Sequence, residues 1–487
     1  MSEAKVVMID AIMWFRQDLR VADNPALNAA LQQGRVLPIY IHDTAAAGEH
    51  VVSGASALWL HHALASLEHT LQGHLQFFKG DALQVLNCLC ARHNVRHVHW
   101  NRCYEPWRID QDTQIKATLI DSGVTVQSHN GSLLWEPWQV AKPDGKPYRV
   151  FTPFYRKGCK SAAPPRSPLS YPYFKAEHQF AAKMDNANTL QSLELTLGKE
   201  WETATAKNWK ISEIGASEQL DTFLASGLVD YKTGRNIPAS ANVSRLSPYL
   251  HHGLISPHTV WHAVGQQAAS VDTEHFLSEL GWREFSYYLL FHFPRMTNQN
   301  FQANFQGFTW EQDSESLAAW QRGKTGIPIV DAGMRELWQT GYMHNRVRMV
   351  VASFLTKNLR QDWRDGAKWF WQTLFDADLA NNTASWQWVA GCGADAAPYF
   401  RIFNPVTQGG KFDSAGVYTR SLLPELAALP DKYLFAPWLA PAQILKKAGI
   451  VLGETYPNPI VDLKASREAA LQAYAVLKAN MGLNASD

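Results

Sequence analysis

The chain has 487 residues, 46% of them hydrophobic and 18% charged, with a net charge of +1; this composition is globular and excludes a disordered chain. Its apolar runs are broken by Arg, His or Asp before the ~18 residues a membrane span needs, and "MSEAKVVMID" lacks the basic-then-apolar order of a secretory leader. Five scattered cysteines without a C-x-x-C fit reduced thiols in the cytoplasm, no His/Cys group has zinc spacing, so no metal site is expected, and the near-zero charge leaves any nucleic-acid surface to local clustering.

Residues 1–130 alternate strand and helix signals. "MIDAIMWF" and "RVLPIYIHD" read as strands, with "ADNPALNAALQQG" between them as a helix that opens near Pro25 and closes at Gly34. "GASALWLHHALASLEHTLQG", "LQFFKG", "DALQVLNCLCARHN" and "RHVHWN" continue the alternation, which predicts a parallel sheet covered on both faces. No G-x-G-x-x-G follows the first strand, so a dehydrogenase type of dinucleotide site is disfavoured. Pro-rich stretches such as "SAAPPRSPLSYPYF" make 131–200 a connector running over the surface. From 201 to 487 the 3.6-residue period dominates, as in "EHFLSELGWREFSYYLLFHF" and "HNRVRMVVASFLTKNL". The expected fold is an α/β N-terminal domain (1–130) with a parallel, Rossmann-like sheet, a linker (131–200) and an all-α domain (201–487).

Chemistry-bearing residues crowd the helical half. Thirteen of the 19 tryptophans lie after residue 200, either as thick core or as rings for stacking and electron transport. In "YKTGRNIPASANVSRLSPYLHHGLIS", hydroxyls ahead of a helix start suit a phosphate, though the same pattern serves as a plain cap. Glu279, Trp282 and Arg283 stand at i, i+3 and i+4, so Glu279 and Arg283 can pair at the surface or frame a ligand beside Trp282. Asn345 and Arg348 share a helix face, and a buried Arg348 would need a carboxylate such as Asp376 or Asp378.

In order along the chain, "RQDLRVADNPAL", "RLSPYLHHGLIS", "ELGWREF", "GIPIVDAGMRELWQTGYMHNRVRMVVASF", "DWRDG", "DADLANNTASWQW" and "DAAPYFRIFNP" resemble the photolyase/cryptochrome family over residues 8–478. The likeness is to bacterial class I-type cyclobutane pyrimidine dimer photolyases. It implies an antenna-binding α/β domain and a helical domain that holds a folded FAD, active as reduced FADH⁻.

The resemblance assigns Tyr231, Ser244, Arg245, Leu246 and Ser247 to the FAD diphosphate. Val243 stands where many members carry Thr or Ser, so backbone N–H must replace one hydroxyl there. Arg348 and Asp376 match an ion pair against the flavin ring, Asp378 an acid near the ribose and ring, and Asn382 the residue facing flavin N5. Glu279, Arg283 and Asn345 complete the cofactor's surroundings. An uncharged Asn382 tolerates an anionic reduced flavin that an Asp would repel by several kcal/mol, an order-of-magnitude figure. Trp386, Trp363 and Trp310 match a chain of indoles that reduces the photoexcited flavin.

Trp282 and Trp388 match the aromatic wall for a flipped-out dimer, Glu279 the acid that steadies it, and Asn345 and Met349 residues near the lesion. Arg235, Arg346, Arg401 and Gln408 match residues beside DNA phosphates. "NRCYEPW" resembles the loop that binds 5,10-methenyltetrahydrofolate through Asn101 and Glu105; it also fits members with other antennas or none. The implied activity is light-driven repair of cyclobutane pyrimidine dimers in DNA by a monomeric lyase. The alternatives are a sensory cryptochrome, opposed by Asn382 and a short tail after the last helix, and a (6-4) photolyase, opposed by Asn345 where those enzymes carry a catalytic histidine. A plain flavin electron carrier would not need the arginines.

Overall fold

The computed structural model describes residues 9–184, 188–396 and 400–484. The first eight residues, on which the reading of no leader rests, and residues 397–399 of the "DAAPYFRIFNP" motif lie outside them.

Five parallel strands form one sheet in the order β3-β2-β1-β4-β5: β1 Ala11–Phe15, β2 Val36–His42, β3 Gln76–Lys79, β4 His97–Asn101 and β5 Thr125–His129. β1 is buried along its whole length and pairs in register with both neighbours, Trp14 facing Ile39 and Trp100. A strand covered on both faces needs apolar residues at every position, and "AIMWF" supplies them. β5 is mixed polar and lies at the sheet edge, so no apolar run marks it in the sequence.

Helices α1 Pro25–Leu31, α2 Gly54–Thr70, α3 Ala82–His93 and α4 Pro106–Asp121 follow β1 to β4. Pro25 sits in the first turn of α1, and the Asn24 side chain accepts from Leu27 N (3.1 Å).

By compactness the described chain forms two units, both discontinuous in sequence. The first comprises residues up to Ala225 with Ser244–Pro294 and Phe375–Leu379; the second comprises Ser226–Val243, Arg295–Leu374 and everything from Ala380. In the first unit the connector is pinned to the sheet. Ala181 N donates to Val36 O (2.8 Å), while Asp23 pairs with Arg166 and accepts from Leu169 N (2.8 Å).

The long helices are α5 Val271–His292 in the first unit, and α6 Pro328–Thr340, α7 Asn345–Ser353, α8 Trp363–Thr373, α9 Leu379–Ala390 and α10 Leu463–Asn484 in or mostly in the second. α5 opens on a reciprocal Ser270–Thr273 cap, and α6 ends at Gly341, whose φ of +65° a side chain would strain. No described helix is long and apolar enough to cross a membrane.

Candidate functional site

In the first unit, two elements converge on Asp378. The Tyr287 hydroxyl of α5 donates to its carboxylate, and His251 Nδ1, from the short helix Ser247–His251, lies 3.4 Å away. Burial, then the Asp378 charge, pushes the Tyr287 hydroxyl well above its usual range, so it stays a donor. Asp376 and Asp378 are 9% and 6% exposed, burial that a carboxylate tolerates only with charged or hydrogen-bonding company. Phe375, just ahead of them, is held by aromatic contact with Trp59 of α2 and by its carbonyl, which accepts from His252 (3.1 Å). Burial, then His251, drives His252 well below its usual value, so it serves as a neutral donor.

Ser244 and Ser247 flank Arg245, which adopts φ +52°, and Leu246. Gln219 Nε2 fixes the Ser244 carbonyl (2.9 Å), and Arg245 lies 4.3 Å over the Trp209 ring. The helix that starts at Ser247 has no side-chain cap, which leaves its first N–H groups directed at the loop. On α5, Glu279 lies 3.7 Å from His275, whereas Arg283 turns to Glu284 (3.0 Å) and the Ser132 carbonyl (2.9 Å).

Glu284 is a residue that the sequence reading missed. Its carboxylate accepts from Leu134 N (2.8 Å) and Trp135 N (3.2 Å), and burial pushes it up to about 7 against those donors and Arg283. The donors sit 150 and 149 positions away, so no local pattern could reveal them.

The Trp282 ring stacks on Phe151 (3.8 Å between centroids, 11°), a second missed residue, since it lies in the Pro-rich connector. Of the antenna pair, Asn101 is committed to the loop between β1 and α1: its amide donates to Asp18 (2.6 Å) and Asn24 (2.8 Å). Glu105 accepts from Gln17 (2.6 Å), with Arg108 at 3.7 Å, beside Trp107 stacked on His50.

In the second unit, α7 presents Asn345, Arg348 and Met349 along its less buried side while Val347, Val350 and Val351 face the core. Arg348 Nε donates to the Met343 carbonyl (2.8 Å). His344 caps α7, accepting through Nδ1 from Arg346 N (3.2 Å). Burial first, then Arg235, Arg346 and Arg348, pushes it down to about 4, which keeps that acceptor neutral.

Arg235, Arg346 and Arg401 are brought within mutual influence. Burial first, then the other two guanidinium groups, lowers the Arg346 pKa, although Asn236 accepts from it (2.5 Å) and Phe412 underlies it (4.5 Å). Three like charges held together favour an anion. Arg235 also covers Tyr231 (5.4 Å), and Gln408 is half-buried on the short helix Pro405–Phe412.

Asn382 Nδ2 donates to the Ala367 carbonyl of α8 (2.9 Å). A carbonyl accepts only from the NH₂ end, so the amide orientation is fixed and Oδ1 is left to accept. Trp386 is 2% exposed and packs edge-on against Phe370 (5.0 Å) and Trp320 (6.2 Å); Trp320 is another core ring that the reading passed over. Gly366 is what lets α8 approach, because a Cβ there would stand 2.1 Å from the Trp386 ring. Trp363 is 1% exposed and donates to Asn300 Oδ1 (2.9 Å), while Trp310 is half-buried against Phe308 (4.5 Å). Between Trp386 and Trp388, the buried Gln387 ties α9 to residues 296–301: it donates to Met296 O (2.7 Å) and Gln299 O (3.0 Å) and accepts from Phe301 N (2.7 Å).

Within the first unit, the buried carboxylates of Asp376 and Asp378 suit ribose hydroxyls and the uncapped helix start at Ser247 suits a phosphate, so these residues fit part of a flavin dinucleotide. In the second unit, Trp386 Nε1 is buried with no hydrogen-bond partner among the described residues. The profile described as "FAD binding domain of DNA photolyase" matches residues 276–476, and the profile "DNA photolyase" matches 11–172.

The deoxyribodipyrimidine photo-lyase of Agrobacterium fabrum is 47% identical over 96% of this chain and 98% of that protein. Cryptochrome-2 of Arabidopsis thaliana is 36% identical over 95% of this chain and 78% of its own length. The crystal structure of a bacterial class III photolyase from Agrobacterium tumefaciens superposes with a TM-score of 0.91 at 46% identity, covering 98% of this chain and all of that one. That likeness is to class III where the motifs led to an expectation of class I. With both halves matched and near-complete coverage by these relatives, the chain belongs to the photolyase/cryptochrome family and carries that family's FAD-binding domain.

Proposed function

We propose that this protein repairs cyclobutane pyrimidine dimers in DNA by light-driven electron transfer. Reduced FAD, when bound, would supply the electron for cyclobutane ring opening with no net redox change. Tyr231 and the segment Ser244–Ser247 would hold the diphosphate, and Arg348, Asp376 and Asp378 the flavin and ribose. Trp282 and Trp388 receive the flipped bases, with Glu279 hydrogen-bonding them and Asn345 and Met349 beside them. Arg235, Arg346, Arg401 and Gln408 take the flanking phosphates. Trp386, Trp363 and Trp310 restore the reduced cofactor. Residues 1–130 serve as the antenna domain, 131–200 as its linker and 201–487 as the catalytic domain. The antenna reading rests on Glu105 more than on Asn101, whose amide is occupied by Asp18 and Asn24.

The observation that carries repair over sensing is Asn382. It is uncharged, and the bond to Ala367 O leaves Oδ1 free to accept from a protonated ring nitrogen. A cytoplasmic monomer acting on damaged DNA is the corresponding setting. Illumination of the reduced holoprotein with a dimer-containing oligonucleotide, followed by chromatography, is expected to show loss of dimer in light and none in the dark. Equal dimer content in both would reject repair and favour a receptor.

A further inference from the structure

Residues 142–160, "KPDGKPYRVFTPFYRKGCK", carry six cations (Lys142, Lys146, Arg149, Arg156, Lys157, Lys160) against one acid, Asp144. That segment is +5 in a chain of +1, so the remainder sums to −4. Such a concentration is a local field in an otherwise near-neutral molecule.

The fold sorts this segment by face. Phe151, Phe154, Tyr155 and Gly158 are buried, whereas Arg156, Lys157 and Lys160 are exposed. The buried rings dock on α5: Phe154 lies against Phe285 (5.1 Å) and Tyr288 (4.8 Å), and Gly281 of α5 leaves room for the Tyr155 ring. Tyr155 stacks on Phe151 (5.5 Å, 10°), which stacks on Trp282 (3.8 Å, 11°). The segment that carries the cations is therefore held by a three-ring stack to Trp282. Arg156 and Lys157 make no ion pair among the described residues. Two acids of α5 act on this segment, Glu274 on Tyr155 and Glu284 on Cys159.

Resting on the repair reading above, we infer that the exposed face of residues 149–160 is a second DNA-binding surface, one that contacts the phosphodiester backbone flanking the flipped dimer. The chemistry is that of point charges on phosphates and carries no base specificity. Phosphates of the flanking duplex, beyond those that a dimer-containing trinucleotide carries, would meet the cations of this face.

The test uses the holoprotein and the double variant Arg156→Gln/Lys157→Gln, both exposed and outside the flavin's surroundings, with flavin absorbance and Tm as controls. Binding is measured by anisotropy across a salt titration. The ligands are a duplex of two helical turns with a central dimer, its undamaged counterpart, and a single-stranded trinucleotide that contains the dimer. Loss of two phosphate contacts is expected to lower the steepness of log Kd against log salt by about 1.8 for the duplex, with trinucleotide affinity unchanged. An unchanged duplex slope would overturn the proposal, as would equal weakening on both lesion ligands, which would locate the effect in the lesion pocket. Absence of any lesion preference in the unmutated protein would remove the repair reading and this inference with it.

Discussion

The Asn382 amide nitrogen is committed to the Ala367 carbonyl, and the exchange of that amide for a carboxylate changes charge with little change of shape. Asn382→Asp is expected to make the bound flavin harder to hold reduced, by up to about 4 kcal/mol for unit charges ~4 Å apart at an effective dielectric of 20. Spectroelectrochemical titration would read this as a lowered midpoint potential; an unchanged potential would remove Asn382 from the flavin's vicinity. His344 makes a second residue-scale case. Its folded value of about 4 lies below its ordinary 6.5, so between those pH values the unfolded chain binds a proton that the folded one refuses. Stability should therefore fall as pH drops through that window, by at most about 3 kcal/mol from this group. His344→Asn keeps an acceptor at the helix start and is expected to flatten that part of the urea-derived profile. His99, also pushed to about 4 by burial first and then His129 and His97, would leave a residual slope.

Among elements, α9 matters most because it carries Asn382, Trp386 and Trp388 together. Two ties fix it. Lys357 Nζ donates to the Ala390 carbonyl (2.5 Å) near its end, and Gln387 fastens it to residues 296–301. The second tie also bears on Trp363, since Asn300, which receives the Trp363 N–H, sits in that loop. Gln387→Ala would strand one buried N–H and leave two carbonyls short of a donor. The expected loss is about 3 kcal/mol in denaturant unfolding, from ~1–3 kcal/mol per unsatisfied buried group. Slowed photoreduction of oxidised flavin should accompany it, through displaced indoles. A loss below ~1 kcal/mol would mean that water replaces the amide.

For the whole molecule, the FAD-binding domain makes stability depend on cofactor. A ligand that binds only the folded state adds about 4 kcal/mol when present at ~1,000 times its dissociation constant. Flavin removal is thus expected to lower Tm by several degrees, with recovery on re-addition. Equal Tm with and without FAD would show that the helical domain is fully formed alone.

The parallel sheet was legible in the sequence because strands buried on both faces must be apolar throughout, as β1 is, and the helices because their apolar period is 3.6 residues. The family was legible for a different reason: its motifs stand in a fixed order along the chain, and the FAD-binding domain that they announced spans residues 276–476. The polar edge strand β5, the Glu284 anchor, the Phe151 stack on Trp282 and the Gln387 clamp were decided only by tertiary structure. Each is a pairing between residues whose separation along the chain bears no relation to any local period. The Asn101 amide shows the converse, since its local motif pointed outward to a ligand while Asp18 and Asn24, between β1 and α1, drew its hydrogen bonds inward. Composition and spacing set which chemistry this protein could hold; packing across long sequence distances set which atoms were left free to perform it.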